Sequence, residues 1–293
     1  MKIKLLTLIM ALGALFFVGC EENDNVIVQE VVVDVVPAPP QNVFSVTGDG
    51  AVYIYWNGPY EEDIDSYIVL RSFEPTTNYQ EIATVNAVPN SNLDLIVYEY
   101  VDNSATNGVK YWYAVASVDE AGQVSELSAE DVFDTPRPDG SVELADYLVS
   151  PNSAGFGFGV QARVAYDSPV ADVYVDRVDG IFYLNVVDVD TDIQDMGYTE
   201  TFDDVGWAPQ VGWSENGWQE IIDGHTYVIW TRDNHFAKLR VNMINANSVL
   251  FEWAYQTVSG ELELVAPISE INAKPVHGEG YLSKSAEALK NNQ

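Results

Sequence analysis

The sequence is poor in the residues that catalysis and metal chemistry draw on. It holds one cysteine, Cys20, and three histidines in 293 residues. A single thiol excludes an internal disulfide and a thiolate zinc site. Lys and Arg number 13 against 45 Asp and Glu, for a formal charge of −32. That shortage of bases excludes nucleic acid as a partner and disfavours adhesion to anionic lipid, since both need clustered cations. No Gly-x-Ser-x-Gly elbow, His-Glu-x-x-His pair or Arg-Gly-Asp triplet occurs. With so many acids some carboxylate pair always exists, so a glycosidase-like pair carries no information. No enzyme is expected. No segment before the tail sustains a 3.6-residue apolar period, which leaves an all-β chain.

What is present begins at the N-terminus. Lys2 and Lys4 precede the uncharged apolar run Leu5 to Val18, shorter than the roughly 20 residues a membrane-spanning helix needs. Residues 1–19 therefore read as a signal peptide. Phe17-Val18-Gly19-Cys20 resembles the lipobox of bacterial lipoproteins, with Phe17 where Leu is usual. The resemblance implies cleavage before Cys20, lipidation of that cysteine, and attachment to a membrane of the bacterial cell envelope. A lone cysteine in an exported protein agrees with this. Residues 20–38 form an acidic, then Val-rich, tether. From Glu21 to Pro40 the extended chain reaches about 60 Å.

Between Pro39 and Pro138 apolar residues alternate with polar ones and are broken at intervals by Gly, Pro, Asn and Asp, the pattern of a β-sandwich. Strands are expected at 42–47, 51–57, 66–72, 79–85, 95–101, 109–118 and 124–133. Val52, Ile54 and Trp56 face one way, and Tyr53 and Tyr55 the other. Pro39-Pro40, Trp56, Tyr67-Ile68-Val69 and Gly108-Val109-Lys110-Tyr111-Trp112-Tyr113-Ala114-Val115 resemble a fibronectin type III module over residues 39–136. The resemblance implies a seven-stranded sandwich and places Tyr111 at the family's tyrosine corner. Such modules serve as spacers or binding platforms, and the fold alone fixes no function.

Asp134 to Gly140, with Pro136 and Pro138, reads as a short stiff linker centred on 137–141. Beyond it, 142–268 reads as a second antiparallel β-sandwich or barrel, followed by a flexible tail, 269–293. Strands are expected at 143–149, 156–166, 171–177, 181–187, 219–222, 226–231, 236–242, 249–256 and 261–265. The best-defined piece is the hairpin Thr226–Asn242, with Asn234 left-handed in its turn and Trp230 opposite Phe236. Lys238 and Arg240 are expected to meet acids such as Glu252. This hairpin is similar to the C-terminal strands of HmuY-like haem-binding lipoproteins. His225 and His235, however, fall about 20 Å apart along it, so haem binding is not implied here.

One stretch stands out. Asp188 to Trp218 carries eight acids, no Lys, Arg or His, and three Gly-Trp pairs. It reads as a long loop between strands, and long loops in compact domains are usually functional. Asp188, Asp190, Asp192 and Asp195 have the alternate spacing of the first half of a calcium loop. Ile193 stands where such a loop needs glycine, and solvated acids on one strand face would give the same pattern. Trp207, Trp213 and Trp218, with Tyr198, offer flat apolar faces beside hydrogen-bonding groups, which suits a sugar or a peptide. A small core folding the loop on itself is the competing reading. The expectation is a lipid-anchored binding or scaffolding module with a protein or carbohydrate ligand. The alternative is an accessory carbohydrate-binding part of a polysaccharide degradation or uptake system.

Overall fold

The computed structural model describes residues 35–88 and 96–266. The signal segment, Cys20, the tether up to residue 34 and the tail lie outside the described residues. The described residues from Val36 onward belong to one compact unit.

The first sandwich has seven strands. β1 (Gln41–Thr47), β2 (Val52–Asn57) and β5 (Val97–Asp102) form one antiparallel sheet in the order β1-β2-β5. β4 (Gln80–Asn86), β3 (Ile64–Ser72), β6 (Tyr111–Asp119) and β7 (Val132–Asp134) form the other, in the order β4-β3-β6-β7. Period-two patterning dictates the core: Val52, Ile54 and Trp56 are fully buried, while Tyr53 and Tyr55 keep partial exposure. Trp56 packs edge-on to Tyr67 at 5.6 Å and stacks on Tyr98 at 5.9 Å, contacts worth about 1 kcal/mol each beyond burial. The Tyr111 hydroxyl accepts the Thr106 N–H at 3.2 Å and forms the expected corner. This is a fibronectin type III-like sandwich. The expected 124–133 strand shrinks to β7, because Ser125 and Ser128 bond irregularly to Ser117 and Val115 before pairing resumes.

The remaining strands form a second sandwich. One sheet contains β9 (Gly155–Gly157), β10 (Ala162–Val164), β11 (Val173–Val178), β12 (Ile181–Val186) and β14 (Trp218–Glu220), in the order β10-β9-β11-β12-β14. The other contains β8 (Asp139–Ala145), β13 (Asp192–Tyr198), β15 (His225–Trp230), β16 (Phe236–Ile244) and β17 (Ser248–Tyr255), in the order β13-β15-β16-β17-β8. Phe156, Val173, Val175, Phe182 and Leu184 of the first meet Tyr227, Ile229, Leu239, Val241, Phe251 and Trp253 of the second in one buried core.

Several sequence expectations are corrected here. Asp188–Trp218 is not one loop, because β13 lies inside it. Only Ile193 of β13 is buried and a register shift interrupts it after Asp195, so its alternation was illegible. The expected strand 156–166 is a hairpin of β9 and β10. The expected strand 261–265 reduces to a single bridge between Trp207 and Glu263.

The expected linker is buried. Asp134, Thr135 and Arg137 are at most 2% exposed, and β8 already begins at Asp139. Buried polar groups need partners, and the two sandwiches supply them to Asp134 Oδ1 and Arg137 Nε. Thr47 donates to Asp134 at 2.8 Å and accepts the Ala266 N–H at 3.0 Å. Arg137 donates to the Leu264 carbonyl, and its own N–H reaches the Gly48 carbonyl at 3.2 Å. Lys110 pairs with Glu263 at 2.8 Å. Gly108 is left-handed at φ +79°, and a Cβ there would lie 2.5 Å from Thr257 Oγ1. Only glycine allows that approach.

Candidate functional site

The base-free stretch is held by bases from elsewhere. Lys238, fully buried on β16, donates to the carbonyls of Phe202 at 2.6 Å and Val205 at 3.2 Å, and lies 4.1 Å over the Phe202 ring. Burial pushes its ammonium down to about 7. Arg240 bonds the Thr199 hydroxyl and the carbonyls of Thr199 and Glu200. As expected these bases also meet acids, Lys238 pairing with Asp203 at 3.6 Å and Arg240 lying opposite Glu252 in the register, and together the contacts fasten 199–205 onto the outer face of the second sheet. Val205, Ala208 and Leu264 pack there against Val228 and Phe236.

The three tryptophans do not form one platform. Trp213 is part-buried against Trp230 at 5.8 Å and Phe236 at 6.4 Å. Trp207 is 50% exposed on the segment bridged to Glu263. Trp218 is 43% exposed on β14 and meets Tyr183 edge-on at 5.2 Å. Tyr198 is exposed, with its ring against Gly224. Among the described residues no ring contact links the three tryptophans to one another.

The four aspartates also separate. Asp188 closes a turn by accepting the Asp190 N–H and pairs with Arg232 at 2.8 Å. Asp192 lies opposite Trp230. Asp195 holds His225 at 3.0 Å and accepts the Gly197 N–H. No group of three or more His, Cys, Asp or Glu that could hold a metal occurs among the described residues. His225 and His235 face Asp195 and Asp233 respectively.

The site that the structure does assemble is the outer face of the first sheet. Facing residues on neighbouring strands project together, and the register aligns Tyr174, Asn185 and Trp218 in one row across β11, β12 and β14. The next row is Asp176, Tyr183 and Glu220. Asn185 Nδ2 donates to Asp176 at 3.0 Å, fixing an amide and a carboxylate between the rings. Beyond Tyr174 the row continues into Tyr166 at 5.7 Å and Tyr147 at 5.9 Å. Tyr166 reaches it because its backbone crosses directly over Gly155, where a Cβ would sit 2.7 Å from the Ala165 carbonyl. Burial and then the Asp176 charge raise the Tyr174 hydroxyl above its ordinary value, so it stays a neutral donor. All five rings keep partial or full exposure.

This arrangement can stack flat apolar rings and hydrogen-bond to hydroxyls, and it lacks a nucleophile–base pair. Trp218 was expected at a site; Tyr174, Tyr183, Asn185 and Asp176 were missed. Their signal was the alternation of Tyr with Asp or Asn at every second position of two strands. A cavity of about 30 Å³ in the first sandwich, beside Tyr67 and Tyr98, admits a water-sized occupant only.

No family model matches the chain. Among curated proteins it is similar to the amylopullulanase of Thermoanaerobacterium saccharolyticum, 29% identical over 140 residues, 48% of this chain and 9% of that protein. It is also similar to the amylopullulanase of Thermoanaerobacter thermohydrosulfuricus, 36% identical over 94 residues, 32% of this chain and 6% of that protein. The chain thus spans less than a tenth of the length of these relatives. Among solved structures, an Fn3-like protein from Clostridium thermocellum is 27% identical with a TM-score of 0.27, covering 34% of this chain and 92% of that one. A DUF4466 family protein from Parabacteroides merdae is 10% identical with a TM-score of 0.42, covering 78% of this chain and 96% of that one. The chain is an all-β protein with a fibronectin type III-like sandwich and similarity to short segments of amylopullulanases.

Proposed function

We propose that this protein is a non-catalytic accessory module that binds carbohydrate through the outer face of its second sandwich, at Trp218, Tyr183 and Tyr174. The observation that carries the reading is the row Tyr174–Asn185–Trp218 beside Asp176–Tyr183–Glu220. Aromatic faces cover the apolar side of a sugar ring, while amide and carboxylate oxygens take its hydroxyls. The amylopullulanase similarity supports the same class, since that name denotes a polysaccharide-cleaving enzyme. The fibronectin type III-like sandwich serves as a spacer. Attachment to the cell envelope through lipidated Cys20 belongs to the proposal and rests on Phe17-Val18-Gly19-Cys20.

Affinity electrophoresis of the full chain carrying Cys20→Ser, in gels cast with amylose or with a mixed-linkage β-glucan, tests the site. Retardation is expected in at least one gel, and Trp218→Ala is expected to remove it. A parent chain unretarded in both gels and in one cast with polygalacturonate refutes the reading. The anchor is tested separately by detergent phase partition of the expressed native chain. It should enter the detergent phase, and the Cys20→Ser chain should not.

A further inference from the structure

We infer that the ligand of this face is an uncharged, extended polysaccharide chain, bound along its length rather than at its end. This rests on the carbohydrate reading above and adds to it the polymer's charge and mode of binding.

The length follows from the register. Trp218 and Tyr174 lie two strand spacings apart, about 10 Å, and Tyr166 and Tyr147 carry the row further, at 5.7 and 5.9 Å from Tyr174. That span exceeds a single sugar ring. The rings sit on a sheet face rather than at the bottom of a pocket, so a chain can pass over them in both directions. Aromatic contacts lie at both ends of the row, and the hydrogen-bonding pair Asn185–Asp176 lies between them. A ligand holding only Trp218 and Tyr183 leaves the tyrosine cluster unused, so affinity must climb as the chain lengthens.

The charge follows from what projects outward. Tyr174, Asp176, Val178, Ile181, Tyr183, Asn185, Trp218 and Glu220 are the outward positions of the three strands, and none is basic. Asp176 and Glu220 are acids within a chain of formal charge −32. Carboxylated or sulfated polymers meet like charge with no cation to pair with, and such juxtaposition costs affinity. Neutral hydroxyl-rich chains pay no such penalty.

The test uses the Cys20→Ser full chain with amylose, mixed-linkage β-glucan and polygalacturonate, together with gluco-oligosaccharides of two to seven units. Retardation by a neutral polymer and none by polygalacturonate is expected, with affinity rising at least tenfold from the disaccharide to the heptasaccharide. Tyr174→Ala should weaken the heptasaccharide at least fivefold, and by more than it weakens the disaccharide. Glu220→Lys, at an exposed position, should create measurable polygalacturonate binding, which also guards against variants that merely misfold. Polygalacturonate binding equal to that of the neutral polymers, or equal affinity for short and long oligosaccharides, overturns this inference while leaving the carbohydrate reading intact. Binding to none of the three polymers overturns the carbohydrate reading itself.

Discussion

Tyr111 and Tyr227 close the same turn in the two sandwiches. Each hydroxyl accepts a backbone N–H from five residues upstream, Thr106 at 3.2 Å and Ile222 at 2.9 Å. Each turn contains a left-handed glycine three residues before the tyrosine, Gly108 at φ +79° and Gly224 at φ +74°. The second corner is stronger, since Tyr227 also donates to the Glu220 carbonyl at 2.7 Å. It fixes the chain just past β14, and β14 carries Trp218.

Tyr227→Phe should therefore cost about 1–3 kcal/mol, because the part-buried Ile222 N–H and the Glu220 carbonyl both lose their partner. Tyr111→Phe should cost about 1 kcal/mol. Denaturant midpoints measure both. Glycan affinity should fall with Tyr227→Phe and stay unchanged with Tyr111→Phe, since only the former corner adjoins β14.

The junction predicts a pH dependence. Burial pushes the Asp134 carboxyl from 3.8 up to about 7, so folding favours its protonated form. That contribution is complete below about pH 4 and is lost as pH rises through about 7. Asp139, raised to about 6 by burial, acts with the same sign. Asp134→Asn keeps an acceptor for Thr47 and cannot ionise. It should flatten the fall in stability between pH 4 and 8, which the shift puts at about 4 kcal/mol. Identical slopes for parent and variant in pH-resolved melts would refute this.

Lys238 predicts the opposite sign. Its folded value is depressed to about 7, so its contribution is present above its ordinary 10.5 and is lost as pH falls through about 7. Lys238→Met also strips the Phe202 and Val205 carbonyls of their donor. Protease cleavage should then appear first within 199–217, with the first sandwich intact, as mass spectrometry of the fragments would show.

Gly108→Ala should loosen the two sandwiches from each other, because the new methyl group meets both a left-handed backbone and Thr257. A destabilisation of about 1–2 kcal/mol and new cleavage near 134–140 are expected. The parent chain should resist cleavage there because that segment is buried.

Melting curves in calcium and in EDTA should superimpose. Asp188 is engaged by Arg232 and Asp195 by His225, and the carboxylates do not converge. A rise of several degrees in calcium would refute this.

Much of the architecture was legible in the residues. Val52, Ile54 and Trp56 alternate with Tyr53 and Tyr55, and that period of two admits one buried face only. The Thr226–Asn242 hairpin was fixed by its turn: Asn234 takes φ +64° and Trp230 pairs with Phe236 as the spacing required. β13 was not legible, because an edge strand with one buried residue leaves no periodic trace. Burial of the short stiff linker was not legible either. Its two prolines imply stiffness and say nothing of burial, and Arg137 is buried because both sandwiches supply chain around it.

By itself the sequence determined a fibronectin type III-like sandwich, a second antiparallel β domain, an acidic surface short of bases, and, for Asp188–Trp218, a chemistry of carboxylates, amides and aromatic rings. These are properties of composition and local period, which the chain carries whatever its fold. Tertiary structure decided which aromatics work together. Trp207, Trp213 and Trp218 are neighbours in the chain but are drawn to different surfaces, because sheet pairing overrides sequence proximity. Trp218 instead joins Tyr183, Asn185 and Tyr174, which lie more than thirty residues upstream, because cross-strand register alone brings facing side chains together.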